Sequence, residues 1–178
     1  MVYVTGDLHG DLSRFSAPPM RAVRKGDTLV VCGDFGFIWE GSKKEKKILK
    51  KLGSLPYTLA FLDGRHENYE LLAAYETGEW NGGRAQVIEG NLVHLLRGEC
   101  YTIEGETYFT FGGGESDDTE LRAEAKTWWE EEMPSEEEMR HGLDTLAAHG
   151  NQVDYILTHE PSAKASGYLV RGGRINGV

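Results

Sequence analysis

The sequence predicts an α/β fold, and three observations carry that expectation. Short apolar runs rich in β-branched residues stop at glycine, aspartate or histidine. Helical patterns lie between those runs. A middle stretch instead strings short strands together through glycine turns. Strands that alternate with helices imply βαβ units and a largely parallel sheet. A run of strands without intervening helices implies a second, more antiparallel sheet.

The first run is Val2–Thr5, ending at Gly6-Asp7. Thr28–Cys32 ends at Gly33-Asp34, Tyr57–Leu62 ends at Asp63-Gly64, and Tyr155–Thr158 ends at His159. Short apolar segments bounded by turn residues read as buried strands. Between them, Ser42–Leu52 sets Ile48, Leu49 and Leu52 on one helical face, and Asn68–Tyr75 does the same with Tyr69, Leu71, Leu72 and Tyr75. Ser135–His149 opens with Ser135 and Glu138 at capping-box spacing, just after Pro134. Val87–Leu96, Cys100–Ile103 and Thr107–Phe111 are the expected middle strands, with turns at Gly98 and Gly105.

The 178 residues are expected to form a single domain spanning 1–178. A chain of this size hides about 70% of its unfolded surface, enough for a core. No apolar run approaches the ~18 residues that span a bilayer, so no membrane association is expected. Cys32 and Cys100 are too few for a disulfide framework, and neither has a metal-type partner nearby. A cytoplasmic location follows from these features. The net charge of −10 is concentrated: residues 115–140 hold eleven acidic and three basic side chains. Six lysines stand against one glutamate between Lys43 and Lys51. Such runs are ordinarily solvated helix faces. An acidic chain repels a phosphate backbone at long range, so charge does not favour nucleic acid as a partner.

Each strand-like run stops at a residue type that binds metal: Asp7 and His9, Asp34, His66, and His159. In an open α/β sheet, ligands bind at the carboxyl ends of the strands. These loops, distant in sequence, should therefore meet on one rim. Taken singly, Asp7 and Asp34 also read as turn residues, His66 as a surface residue and His159 as a core residue. Taken together, aspartate and histidine at four strand ends suit a cation of borderline hardness. His94, within a strand-like run, and His141, on an acidic helix, read as structural or surface histidines.

The blocks Gly6-Asp7-Leu8-His9-Gly10, Gly33-Asp34, Gly64-Arg65-His66-Glu67 and Thr158-His159 resemble, in order and spacing, those of the calcineurin-like metallophosphoesterase superfamily. Phe111-Gly112-Gly113, Trp128-Trp129-Glu130-Glu131 and Met133-Pro134-Ser135 resemble its small bacterial or phage-type members. The resemblance implies a sandwich of two mixed β-sheets flanked by helices. It implies a metal-dependent phosphoester hydrolase, a phosphatase or phosphodiesterase, that uses a metal-activated water. The substrate would be a phosphorylated small molecule or another phosphoester. By the same resemblance Asp7 and His9 hold a first metal, Asp34 bridges, and His159 belongs to a second. His66 stands beside the leaving oxygen as proton donor. The cofactor is one or two divalent ions, with manganese ahead of iron, zinc or magnesium. Asp63, next to Gly64, is the candidate to orient His66, and Arg65 and Arg97 are candidates to grip phosphate.

Two departures qualify the resemblance. Arg65 stands where the family has a metal-binding asparagine, and a guanidinium offers donors but no acceptor. The family's closing GHxH block is not found, since no histidine follows His159. The expectation is then a C-terminally truncated form, a degenerate gene product or a member completed by a partner chain. The alternative function is a catalytically impaired pseudo-phosphoesterase that binds a phosphorylated ligand or partner.

Overall fold

A computed structural model describes residues 1–161. Nine strands form two sheets. The larger holds β1 (Val2–Thr5), β2 (Thr28–Cys32), β3 (Thr58–Leu62), β4 (Thr77–Trp80), β5 (Gly83–Glu89) and β6 (Leu92–Leu95), in the order β1-β2-β3-β6-β5-β4. The smaller holds β7 (Glu99–Ile103), β8 (Glu106–Phe111) and β9 (Tyr155–Thr158), in that order. Both are mixed. β1, β2, β3 and β6 run parallel, whereas β4 and β5 are antiparallel additions. β7 pairs antiparallel with β8, and β8 pairs parallel with β9.

Alternation along the strands makes the sandwich, because successive side chains leave opposite faces of a sheet. Leu29, Val31, Leu59 and Phe61 enter one core with Leu49 and Leu52 of α1 (Lys43–Gly53). Their neighbours Val30, Ala60 and Leu62 enter the other, against Tyr101, Ile103 and Tyr108 of the small sheet. The central strands are thus apolar on both faces, as parallel strands covered on both sides must be.

The helices start where their caps are. Ser42 accepts from the Glu45 N–H at the start of α1, and Asn68 from the Leu71 N–H at the start of α2 (Tyr69–Ala73). The short helix α3 (Thr119–Glu124) follows the acidic cluster. Ser135 and Glu138 form a full capping box on α4 (Glu136–Ala148).

The sequence reading of the middle stretch needs two corrections. Val87–Leu96 is not one strand: the chain folds back at Gly90, whose φ is +52°, between β5 and β6. β4, unanticipated, joins β5 through a turn at Asn81-Gly82, with φ of +49° and +90°. Asn-Gly is a strong hairpin signal, so this turn was legible. Nor do all the middle strands form the second sheet. β6 pairs with β3 and carries β5 and β4 into the first sheet. Residues 162–178, within the stretch after His159 that holds no histidine, lie outside the described residues. Among the described residues no helix is long and apolar enough to cross a membrane.

Candidate metal centre

The loops after β1, β2, β3 and β9 bring Asp7, His9, Asp34, His66 and His159 to one rim. Asp34 is the centre. It is almost wholly buried, and its backbone sits in the left-handed region at φ +48°, as does His9 at +47°. Few non-glycine residues adopt this conformation. Here it turns the Asp34 carbonyl toward the first loop, where it accepts from the Leu8 and His9 N–H groups at 3.0 and 2.8 Å. One aspartate thereby joins two loops through its backbone and a third through its side chain.

The Asp34 carboxylate has no idle oxygen. Oδ1 accepts from the Arg65 and His66 N–H groups at 2.7 and 2.8 Å. Oδ2 accepts from His66 Nδ1 at 2.9 Å. His9 Nε2 lies 3.6 Å from Oδ2, and His159 Nε2 lies 3.6 Å from Oδ1. Burial pushes this carboxyl up, but the hydrogen bonds from His66 and the nearby His159 outweigh it and hold Asp34 below its usual range. His159 Nδ1 donates to the Cys32 carbonyl at 2.8 Å, which leaves Nε2 as the atom facing Asp34. Such a bond behind a ring nitrogen fixes tautomer and orientation.

Glycine is needed where these loops nearly touch. A Cβ on Gly33 would sit 2.2 Å from His159 Nδ1, and one on Gly64 would sit 2.1 Å from Asp34 N. The loop carrying His66 is fastened at three successive carbonyls. Asp63 O accepts from Gly113 N (2.9 Å), Gly64 O from the Tyr69 hydroxyl (2.6 Å) and Arg65 O from Arg122 Nη2 (2.9 Å). Glu67, fully buried, accepts from Phe35 N at 2.6 Å with one oxygen and from Gly36 N at 3.3 Å with the other. Burial nevertheless pushes its carboxyl up to about 8. Residue spacing offered no signal for Arg122, Tyr69 or the part played by Glu67. Their partners come from segments distant in sequence or from backbone atoms.

The side chains form two groups of three, each able to offer one donor atom with all three atoms within 4.8 Å of one another: His9, Asp34 and His66, and Asp7, Asp34 and His159. Asp34 is common to both. Asp7 is near both flanking histidines, Oδ1 3.8 Å from His159 Nδ1 and Oδ2 4.0 Å from His9 Nε2, and His66 stands beside His9, their ring centroids 5.5 Å apart. Carboxylate oxygen with imidazole nitrogen suits divalent cations of the manganese-to-zinc series. Burial raises the Cys32 thiol to about 11, so it stays protonated and takes no part as a thiolate.

A family model described as calcineurin-like phosphoesterase matches residues 1–175. The chain belongs to the calcineurin-like phosphoesterase family. No curated protein and no solved structure matches it. The family's enzymes hydrolyse phosphoesters with divalent metal ions, and the paired donor groups around Asp34 fit that chemistry.

Two site expectations require correction in this family member. Asp63 does not orient His66. Its carboxylate is taken by His94 Nε2 at 2.6 Å and Arg97 Nε at 2.9 Å, and Asp34 holds His66 instead. Burial pushes Asp63 up, but His94 and Arg97 together hold it below the carboxylate range. Arg97 turns its guanidinium inward to Asp63. Its side chain is 3% exposed and also donates to the Tyr69 hydroxyl and the Glu131 carbonyl. Arg65 differs from both. Its N–H serves Asp34, while its partly exposed guanidinium donates to the Glu115 carbonyl at 3.2 Å and faces Glu160 at 3.4 Å.

Proposed function

We propose that this single domain, spanning 1–178, hydrolyses phosphoesters at a centre held by Asp7, His9, Asp34 and His159, with manganese the metal of first choice. The observation that carries the reading is the Asp34 carboxylate shared by two donor groups. Divalent ions bound there supply charge neutralisation of the phosphoryl oxygens and an activated water. In the overall reaction the water oxygen joins phosphorus, the ester P–O bond breaks, and the departing oxygen takes a proton. His66 is the donor we assign: Asp34 holds Nδ1, which leaves Nε2 for the leaving oxygen. Arg65 adjoins His66 and keeps an exposed guanidinium, so a substrate phosphate would compete with Glu160 for it. Cys32 and Cys100 are both free thiols, which suits the reducing cytoplasm.

Hydrolysis of an aryl phosphate monoester and diester with added manganese tests the reading. Asp34→Asn should abolish the rate. A wild-type rate no higher than that of Asp34→Asn at saturating metal would sink it. The second reading, a pseudo-phosphoesterase that binds without turnover, is favoured by the count of donors: three in each group among the described residues, and only His9 and Asp34 in the first once His66 serves as proton donor. It predicts at most one tightly held ion per chain by elemental analysis. Two ions per chain would exclude it.

A further inference from the structure

Beside the centre lies a cavity of about 450 Å³ whose wall includes His9, His66, Phe37, Trp39, Lys44 and Ile48. Small-molecule sites run from roughly 300 to 1,000 Å³ and combine apolar walls with a few polar groups. One end of this cavity is the His9–His66 pair. The remaining wall is mixed: Phe37, Trp39 and Ile48 are apolar, Lys44 is basic, and Glu40, Ser42 and Glu45 are polar or acidic.

Trp39 is pinned on three sides. Its N–H donates to Glu45 Oε2 at 2.9 Å, and its carbonyl accepts from Asn68 Nδ2 at 2.9 Å. Its ring packs edge-on against Trp129, with centroids 5.8 Å apart and planes at 82°. Asn68 caps α2 two residues after His66, so the Trp39 backbone is tied to the segment that carries the proton donor. Glu45 also accepts from the Glu40 and Gly41 N–H groups at 2.7 and 3.0 Å. Its charge is thereby occupied by backbone, and the segment leading into α1 is held rigid. A wall fixed before binding loses little entropy when a ligand arrives.

The geometry points to a leaving-group subsite for a planar alcohol of nucleoside size, held against Trp39 while its phosphoester reaches the His9–His66 end. This inference rests on the phosphoesterase reading for its catalytic arm but not for its binding arm. A flat apolar wall discriminates by ring contact, which is worth roughly ten- to a hundredfold in affinity per stacked base. A small aliphatic alcohol gains nothing from it.

The experiment has two arms. In the first, adenosine alone is titrated into the ¹⁵N-labelled protein while the four tryptophan indole N–H resonances are followed, Trp39→Leu assigning the Trp39 signal. Adenosine should move the Trp39 indole and spare Trp80, which packs on Tyr101 away from the cavity. Glycerol should move neither. An unmoved Trp39 signal at saturating adenosine overturns the subsite. In the second arm, kcat/KM with manganese is compared for adenosine 5′-monophosphate and glycerol 3-phosphate. The nucleotide should be preferred at least ~tenfold, and Trp39→Leu should bring the ratio near one, with Trp39→Phe retaining most of it. An unchanged ratio in folded Trp39→Leu overturns the proposal. If Trp39→Leu does not fold, Trp39→Phe supplies the missing resonance. Hydrolysis of neither ester overturns the phosphoesterase reading alone, and the indole shift still decides the subsite.

Discussion

Two buried-aspartate–histidine pairs in this chain, Asp34–His66 and Asp63–His94, do different things. Asp34 holds His66 at 2.9 Å, and Asp63 holds His94 at 2.6 Å. Both carboxylates are buried. The difference is in the histidines. The His66 side chain is 39% exposed and gives only Nδ1 to the protein. The His94 side chain is 5% exposed, and its second nitrogen meets Gln86 Oε1 at 2.7 Å. Gln86 is itself fixed by donating to the Leu72 and Tyr75 carbonyls. A ring with both nitrogens engaged is a strut. A ring with one nitrogen left toward an open cavity is able to move a proton. Residue type and pairing are the same; access to the second nitrogen separates chemistry from scaffold.

The comparison breaks first at the carboxylates. Asp34→Asn should remove activity and cut metal affinity by more than the ~10–100-fold lost when a partner behind a ligand is removed. Its unfolding midpoint should move little, since the amide oxygen still accepts from Arg65 and His66. Isothermal calorimetry with manganese and a urea melt together check this. Next, His66→Gln should lower kcat by roughly 10²–10⁴-fold. Metal stoichiometry and stability should hold, because His66 is assigned as a donor and not a ligand. A lost ion in His66→Gln would move His66 into the ligand set.

The strut should answer in the opposite way. Asp63→Asn leaves Arg97 and His94 buried without their counter-charge, which costs about 3–5 kcal/mol in urea unfolding at pH 7. KM for any hydrolysed ester should not change. The pH dependence has a definite sign. Asp63 is depressed in the folded state, so its stabilisation is full above the ordinary carboxylate pKa of ~3.9 and drains as pH falls through the lower folded value. The gap between wild type and Asp63→Asn should therefore close in acid. A gap that stays constant down to pH 2 would remove this pair from the acid side of the stability curve. The smallest effect belongs to neither pair: Ser135→Ala at the α4 capping box should cost about 1 kcal/mol by thermal melt and leave activity alone.

Much of this was legible in the chain. β1, β2, β3 and β9 lie where the apolar runs are, and α1, α2 and α4 start at Ser42, Asn68 and Ser135. Local periodicity and capping are short-range physics that a sequence carries openly. The rim was legible for Asp7, Asp34 and His66, because β1, β2 and β3 are parallel and deliver their carboxyl ends to one edge; His159 follows β9 of the other sheet, and only the packing of the two sheets brings it there. The acidic stretch was less so. Glu132 was expected on a solvated face, yet it is 1% exposed and pairs with Arg122 at 3.0 Å. Glu45 likewise leaves the lysine run to bind backbone at residues 39–41.

The sequence by itself determined the outer strands, the capped helices and the family blocks, because each depends on spacing along one segment; it missed β4 and the break between β5 and β6. Only tertiary structure decided which aspartate serves which histidine. Asp63 was the nearer neighbour of His66 in the chain, yet Asp34, from another strand, binds it. Likewise Arg97, expected to grip phosphate, binds Asp63 in the interior, and Trp39, which no spacing singled out, walls the cavity. Side-chain partnership in a packed interior is settled by direction and distance between segments. Those are properties of the assembled sheets rather than of any stretch of sequence.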